Sequence, residues 1–277
     1  MRALLAGVAA LGRPVLGLGT TLLALLRHVS NVWQLFASTL WHVTVGVVRG
    51  RTRFGGQIFP MMRNVGVRSL PVVALITFLT GAILVLQTGD VMKKYGQIQQ
   101  VPGMVALSIV RALGPLMTAI IMTARVGASF TAVLGSMRIN EEVMALEAMA
   151  IHPTAYLVAP RFLSMLVMVP CLSVFSYLLG MAGGWLVALL LYDIDTDTYI
   201  QTSILYLDMT AIGFGLFKSM VFAVLITMIC CYYGLIATGG PMGLGRNIMV
   251  AVVISIVMLV VAEALLAAVM VNWLLVK

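Results

Sequence analysis

The sequence predicts an all-α, polytopic membrane protein with about five transmembrane helices. Three observations carry this. Hydrophobic residues make up 62% of the 277 positions and charged residues only 9%, against roughly 25% charged in soluble domains, so there is too little polar surface to cover a water-soluble globule. Five apolar runs, at about 69–89, 103–124, 162–191, 209–236 and 248–276, are long enough to cross hydrocarbon about 30 Å thick, which takes about 20 helical residues. The basic residues behind the net charge of +8 flank these runs. That is a pattern of membrane topology and not of nucleic-acid binding.

Residues 1–68 form an N-terminal interfacial, amphipathic region ahead of a transmembrane domain at 69–277. The start, MRALLAGVAALGRP, has the outline of a signal peptide, but Arg13-Pro14 and the amphipathic stretch that follows read it as retained. From His28 the polar positions His28, Asn31, Gln34, Ser38 and His42 are spaced by 3, 3, 4 and 4, one face of a helix. Trp33, Leu35, Phe36, Leu40 and Val43 fill much of the remainder, the pattern of a helix lying along a membrane surface. A sixth span is the alternative. His28 and His42 read as interfacial polar groups.

Within the spans, Pro115 and Pro170 each remove a backbone donor and are expected to kink their helices. Gly180 and Gly184 have the spacing that lets helices approach closely. Orientation follows from Lys and Arg. The segment up to Arg68 carries eight arginines and no acid, which places it in the cytoplasm together with loops 125–161 and 237–247. With five spans the N-terminus is inside and the C-terminus outside. The stretch YDIDTDTYIQTSILYLD, with four aspartates and no basic residue, then falls outside. Asp193, Asp195 and Asp197 alternate as calcium ligands can, but lack the Gly and terminal Glu of an EF-hand loop, so they read as a solvated turn.

The stretch GSMRINEEVMALEAMAIHP, residues 135–153, holds three of the nine acids: Glu141, Glu142 and Glu147. Asn140 is placed as an N-cap, with Glu141 and Glu142 in the first turn where the helix dipole favours acids. Met144, Leu146 and Met149 add apolar side chains, and His152-Pro153 ends the helix. About ten residues of helix are marginal alone, so this helix rests on its own bundle or docks a cytoplasmic partner.

Glu263, in VVAEALL, and Lys218, in GLFKSM, lie inside spans. A charge at that depth costs about 2.5–3.5 kcal/mol and needs a partner or a wet cavity. At 1.5 Å per residue, Lys218 sits about 14 Å and Glu263 about 20 Å in from the outer ends of their runs. The two are expected to pair across adjacent helices. The alternative has Lys218 snorkelling and Glu263 protonated.

No GxxxxGK[ST], HExxH or GxSxG motif occurs, and GGPMGLGRN lies between two spans instead of after a strand. Cys171, Cys230 and Cys231 lie in apolar runs, form no CxxC pair and read as packing thiols. The chain is therefore not read as an enzyme, and any energy it uses comes from a partner or an ion gradient.

The run RALGPLMTAIIMTARVGASFTAVLGSMRINEEVMALEAMAIHPTAYLVAPRF, residues 111–162, resembles the signature of the MlaE/YrbE family of ABC-transporter permeases. Arg111, Gly114-Pro115, Arg125, Gly135, Arg138, Glu141, Glu147 and Pro160-Arg161 carry the match, with Lys218-Ser219 and GLGRNIMVAVVIS further on. The resemblance covers about residues 64–277. It implies a permease subunit, paired with a second permease copy, moving phospholipids or related lipids between a bacterial inner membrane and a periplasmic MCE-domain protein hexamer. Cytoplasmic ABC ATPase subunits would drive it and hold ATP and Mg, so no cofactor or metal is implied for this chain. It also implies that the loop after the second span carries a coupling helix, making Arg138, Glu141, Glu142 and Glu147 the candidates for ATPase contact. A lipid cavity between the two copies would be lined by the first, second and fifth spans. Arg111, Lys218 and Glu263 are the candidates for an intramembrane polar path. The sequence departs from the family at Ala112 and Val133, where acids are usual, at Glu263, usually Asp, and at His152, usually Asp. The loss at Ala112 leaves Arg111 without its acidic neighbour.

Two other classes compete. An ion-coupled secondary transporter would use Glu263 and Lys218, but no internal repeat is visible. A lipid-modifying enzyme would need a nucleophile–base pair, and the only histidines, His28, His42 and His152, are peripheral.

Overall fold

The computed structural model describes residues 30–43 and 55–275. They are helical apart from short turns, with no strand among the described residues. Among the described residues, five helical runs are long and apolar enough to cross a membrane: Ile58–Lys94, Ile98–Ile139, Thr154–Tyr192, Met209–Leu235 and Gly240–Asn272. The five expected spans are therefore present, and most are longer than their apolar runs. The second is the clearest case. Its 42 residues measure about 63 Å at 1.5 Å per residue, twice the hydrocarbon thickness.

This corrects the expectation of a loop beginning at residue 125. The helix continues because its next turns are packed. Gly127 lies against Cys230 and Gly135 against Leu244, while the Thr131 hydroxyl donates to the Cys230 carbonyl at 2.9 Å. A helix stops where its backbone or packing stops it, not where apolar residues give way to arginine.

The fourth span is the most enclosed and the fifth the least. One core cluster joins Met122, Val126 and Phe130 of the second span to Met165 and Leu172 of the third and Phe222 and Ile226 of the fourth. A second cluster, nearer the opposite end, gathers Val85, Val105, Ile109, Tyr177 and Ala211. The first and third spans meet through glycine. A Cβ on Gly81 would fall 1.8 Å from the Gly180 carbonyl oxygen, and one on Gly183 would fall 2.0 Å from that of Phe78. Gly180 and Gly184 thus belong to a close contact that also uses Gly81 and Gly183.

Helix regularity is broken by π-helical turns at Arg63–Val67, Ile109–Leu113, Thr123–Gly127 and Thr154–Val158. The Ile109–Leu113 turn sits directly ahead of Pro115. The third-span helix runs unbroken through Pro170. The 68/69 boundary falls between the Arg63–Val67 turn and the helix Leu70–Lys94.

Past Tyr192 the aspartates shape a turn. Asp193 adopts a left-handed φ of 52° at the end of the third span. Asp195 precedes a return helix, Thr196–Tyr206, and accepts the Tyr199 N–H on its carbonyl at 2.9 Å. This helix packs mainly on the first turns of the second span, with Tyr206 filling the space over Gly103. The Tyr199 hydroxyl donates to the Met181 carbonyl at 3.0 Å. Burial pushes this phenol up to about 12, so it stays a donor at physiological pH.

Of the N-terminal region, the helix at 30–43 is described; His28, the start of the chain and residues 44–54 lie outside the described residues. Val32, Leu35, Phe36 and Val43 pack on the bundle end beside Leu134, Val143, Leu157 and Phe162. Trp33 and Trp41 remain exposed.

The glycine contact between the first and third spans generates a test. Gly81→Ala is expected to cost about 1–3 kcal/mol through overpacking against backbone. Gly213→Ala, with nothing within 4 Å of its Cβ, is expected to be neutral or to gain up to about 1 kcal/mol of helix propensity. Thermal unfolding of the two purified variants in one detergent checks this; equal Tm values would contradict the packing.

Candidate functional site

The fourth span carries Gly215 one turn before Lys218. A Cβ on Gly215 would fall 2.5 Å from the Tyr177 hydroxyl and 2.6 Å from the Val110 carbonyl oxygen. The glycine therefore lets the fourth span close on the second and third. At this point of closest approach the Lys218 side chain, 2% exposed, reaches two acceptors. Its Nζ donates to Glu263 Oε1 of the fifth span at 2.6 Å and to the Arg111 carbonyl oxygen of the second at 2.9 Å. The expected pairing of Lys218 with Glu263 is present, and is the only ion pair among the described residues.

The Arg111 carbonyl is available for a local reason. In a regular helix it would accept from the N–H four residues on, and that residue is Pro115, which has none. The π-helical turn at Ile109–Leu113 shifts the same stretch off α-helical register. Arg111 thus joins the node through its backbone, whereas the sequence pointed to its guanidinium. With Ala112 in place of an acid, the Arg111 Nε has no partner among the described residues.

Two further buried oxygens here have no partner among the described residues: Glu263 Oε2 and the Tyr177 hydroxyl. Buried polar atoms are nearly always satisfied, by protein or by ordered water. The node thus has capacity for water or a small polar group. Sequence reasoning missed Tyr177. Its ring fits beside Gly114 and Gly215, the two positions that make room for it, a match visible only in the folded bundle.

The second candidate locus is the short helix Glu142–Ala148, reached directly from the end of the second span. Asn140 is not its N-cap. It closes the preceding helix, giving its N–H to the Ser136 carbonyl at 2.9 Å. Because the second span runs on to Ile139, two residues must reverse the chain, and Glu141 does so with a left-handed φ of 62°. Ala150, at φ 57°, closes the other end. A non-glycine residue in this region carries about 1–3 kcal/mol of strain, so packing must hold both. Val143, 3% exposed, is the anchor, set against Leu134, Leu157 and Phe162.

Glu141, Glu142 and Glu147 are exposed, as are Met144 and Met149, and Arg138 is half-buried. These four charged side chains make no ion pair among the described residues. The His152 ring stacks 5.5 Å from that of His42, tying the end of this segment to the N-terminal helix.

A five-span bundle with a charge pair locked in its interior and a short acidic helix at one end defines a multi-pass membrane protein. The description Permease MlaE belongs to the family model that matches residues 58–269, and the chain is a member of that family. Its relatives agree. A probable ABC transporter permease protein of Rickettsia prowazekii is 35% identical over 202 residues, 73% of this chain and 78% of the relative. Another, of a Synechocystis species, is 32% identical over 245 residues, 87% of this chain and 93% of the relative. The chloroplastic protein Trigalactosyldiacylglycerol 1 of Arabidopsis thaliana is 28% identical over 82% of this chain and 64% of its own length. The chain is an ABC-type permease subunit, and the resemblance carried by residues 111–162 identified its family correctly.

Breaking a buried pair by removing one partner typically costs 3–5 kcal/mol, whereas replacing both with apolar groups of similar size is often nearly neutral. Lys218→Met is therefore expected to destabilise the protein by about 3–5 kcal/mol, and Lys218→Met with Glu263→Met to restore most of that loss. Thermal unfolding of both forms decides it. A double variant no more stable than the single would remove the pair as the reason for the loss.

Proposed function

We propose that this chain is the membrane subunit of an ABC transporter that moves phospholipids or related lipids between a bacterial inner membrane and a periplasmic MCE-domain assembly. Cytoplasmic ATPase subunits supply the energy and bind ATP and Mg. The observation that carries this reading is the short helix Glu142–Ala148. It is too short to persist without packing, is anchored by one buried valine, and with its flanking residues Glu141 and Met149 leaves two methionines and three glutamates exposed.

In this reading Arg138, Glu141, Glu142 and Glu147 form the ATPase contact. The arginine-rich N-terminal region lies in the cytoplasm, by the distribution of Lys and Arg. Closure of the ATPase dimer moves the helix, and with it the second span from which it hangs. The first and fifth spans, the least enclosed of the five, face a second permease copy across a lipid cavity. Lys218, Glu263 and Arg111 hold the second, fourth and fifth spans together as that cavity changes shape. The lipid cargo is supported by membership of the MlaE family and by the Arabidopsis relative, whose name is that of a glycolipid. An ion-coupled mechanism would use Glu263 as a proton carrier, and its salt bridge to Lys218 argues against that role.

Glu147→Lys is expected to abolish ATP-dependent lipid movement in reconstituted vesicles while the permease still inserts and folds. Co-purification of the ATPase subunit and transport are measured together. Both unchanged would count against a docking role for this helix. A permease that moves lipid without any ATPase would remove the whole reading.

A further inference from the structure

The return helix and the third span enclose a groove of about 500 Å³ that the proposed mechanism does not use. Volumes of about 300–1,000 Å³ are typical of small-molecule sites. One wall is the third-span face bearing Leu178, Met181 and Trp185. The other is the return-helix face bearing Tyr199, Ser203 and Leu207. The groove exists because the return helix packs on the second span and touches the third through two long side chains. The Trp185 indole N–H donates to the Thr196 hydroxyl at 3.2 Å, and the Tyr199 hydroxyl to the Met181 carbonyl at 3.0 Å.

Depth decides which molecules can enter. Trp185 and Leu178 lie about 10 Å and 21 Å along the helix from its end at Tyr192. Exposed Leu189, Leu190 and Leu191 occupy the turns between groove and end. Leu178 to Trp185 lie inside the apolar run 162–191, so the groove opens alongside hydrocarbon, and the return helix, expected outside, folds back beside that run. An apolar groove left empty would forfeit dispersion contacts along both walls. A transmembrane helix, about 10–12 Å across, does not fit between two helices that still hydrogen-bond to each other. A single hydrocarbon chain does. The lining offers a ligand almost no polar atom: the Thr196 hydroxyl is taken by Trp185, the Tyr199 hydroxyl by the Met181 carbonyl, and the Ser203 hydroxyl is buried in the wall.

We propose that this groove holds one acyl chain of a membrane glycerophospholipid. The site is separate from any cavity between permease copies. It rests on the five-span reading but not on lipid being the cargo.

The test uses the complete permease–ATPase complex in vesicles of phosphatidylethanolamine and phosphatidylglycerol. A trace of phosphatidylcholine carries a photoactivatable diazirine on one acyl chain. After irradiation, peptide mapping is expected to show residues 196–207 labelled several-fold more than residues 167–175, the exposed apolar stretch of the third span beyond the groove. Ala182→Phe, which fills the groove, is expected to bring labelling down to the level of residues 167–175. Equal labelling of groove and residues 167–175, or no change with Ala182→Phe, overturns the proposal. If Ala182→Phe does not assemble, Trp185 serves as the reporter in protein carrying Trp33→Phe, Trp41→Phe and Trp273→Phe. Quenching by brominated acyl chains should then saturate at a lower bromolipid fraction than bulk mixing gives; quenching that tracks bulk composition overturns the proposal. A photo-crosslinker at Ile204 that captures a polypeptide in preference to lipid overturns it as well. ATP-driven lipid movement is read in the same vesicles. Lost transport with retained groove labelling strikes only the proposed function, and the reverse strikes only this site.

Discussion

A lysine inside hydrocarbon must be answered inside hydrocarbon, and much of this bundle is arranged around the answer to Lys218. Its ammonium has a carboxylate at 2.6 Å and a main-chain carbonyl at 2.9 Å. Each acceptor comes from a different helix, so one cation fixes the mutual position of the second, fourth and fifth spans. The arrangement depends on residues that carry no charge. Pro115 leaves the Arg111 carbonyl without its intrahelical donor, and Gly215 lets the fourth span come close enough to use it. Replacing a neutral residue here would misplace the charges as surely as replacing a charged one.

The pair matters more because apolar burial contributes little to helix association in lipid, where tails are as apolar as leucine. Association must come from packing and polar contacts. At one level of the bundle this is the glycine seam of Gly81, Gly180 and Gly183, where backbone meets backbone. At another it is the Thr131 hydroxyl on the Cys230 carbonyl. The fifth span has fewer such contacts, and the Lys218–Glu263 bond is a principal tie holding it. A span held by one buried ion pair and by a narrow packed face that includes Ala251 and Leu259, with most of its length exposed, is suited to meet a second subunit or lipid on its free face.

Much of this was legible in the sequence, because length and hydropathy report directly on the bilayer. Five apolar runs became five spans, and two intramembrane charges at matching depth became a pair. Helix ends were not legible. The second span was expected to stop near Ala124, where apolar residues thin out, but it continues to Ile139 because Gly127 and Gly135 are packed against the fourth and fifth helices. That extension removed the reason for an N-cap at Asn140 and put Glu141 into a left-handed turn. Tyr177 was hidden because a tyrosine in an apolar run gives no sign of what surrounds its hydroxyl. The groove under the return helix was hidden for the same reason: it is a gap between two elements, and gaps have no residues of their own.

The second span connects the two candidate loci without any intermediary. Arg111 and Arg138 stand on the same helical run, about 40 Å apart along its axis. The span is not a uniform rod, because π-helical turns at Ile109–Leu113 and Thr123–Gly127 interrupt it. Such turns recur at functional sites and are positions where a helix changes register. Within the proposed function, a push on Glu142–Ala148 enters this span at Ile139 and meets both turns before it reaches Lys218. Energetic coupling between sites needs an element with two discrete arrangements. A π-helical turn beside a proline, with its freed carbonyl already bound to a neighbouring helix, has the ingredients for one: a change of register there would shift the Arg111 carbonyl relative to Lys218 and loosen the tie between the second and fourth spans. The departure at Ala112 then has a physical meaning. With no acid beside Arg111 to hold the guanidinium, the backbone carbonyl is the surviving link between this span and the charge pair, and the link follows the helix register directly.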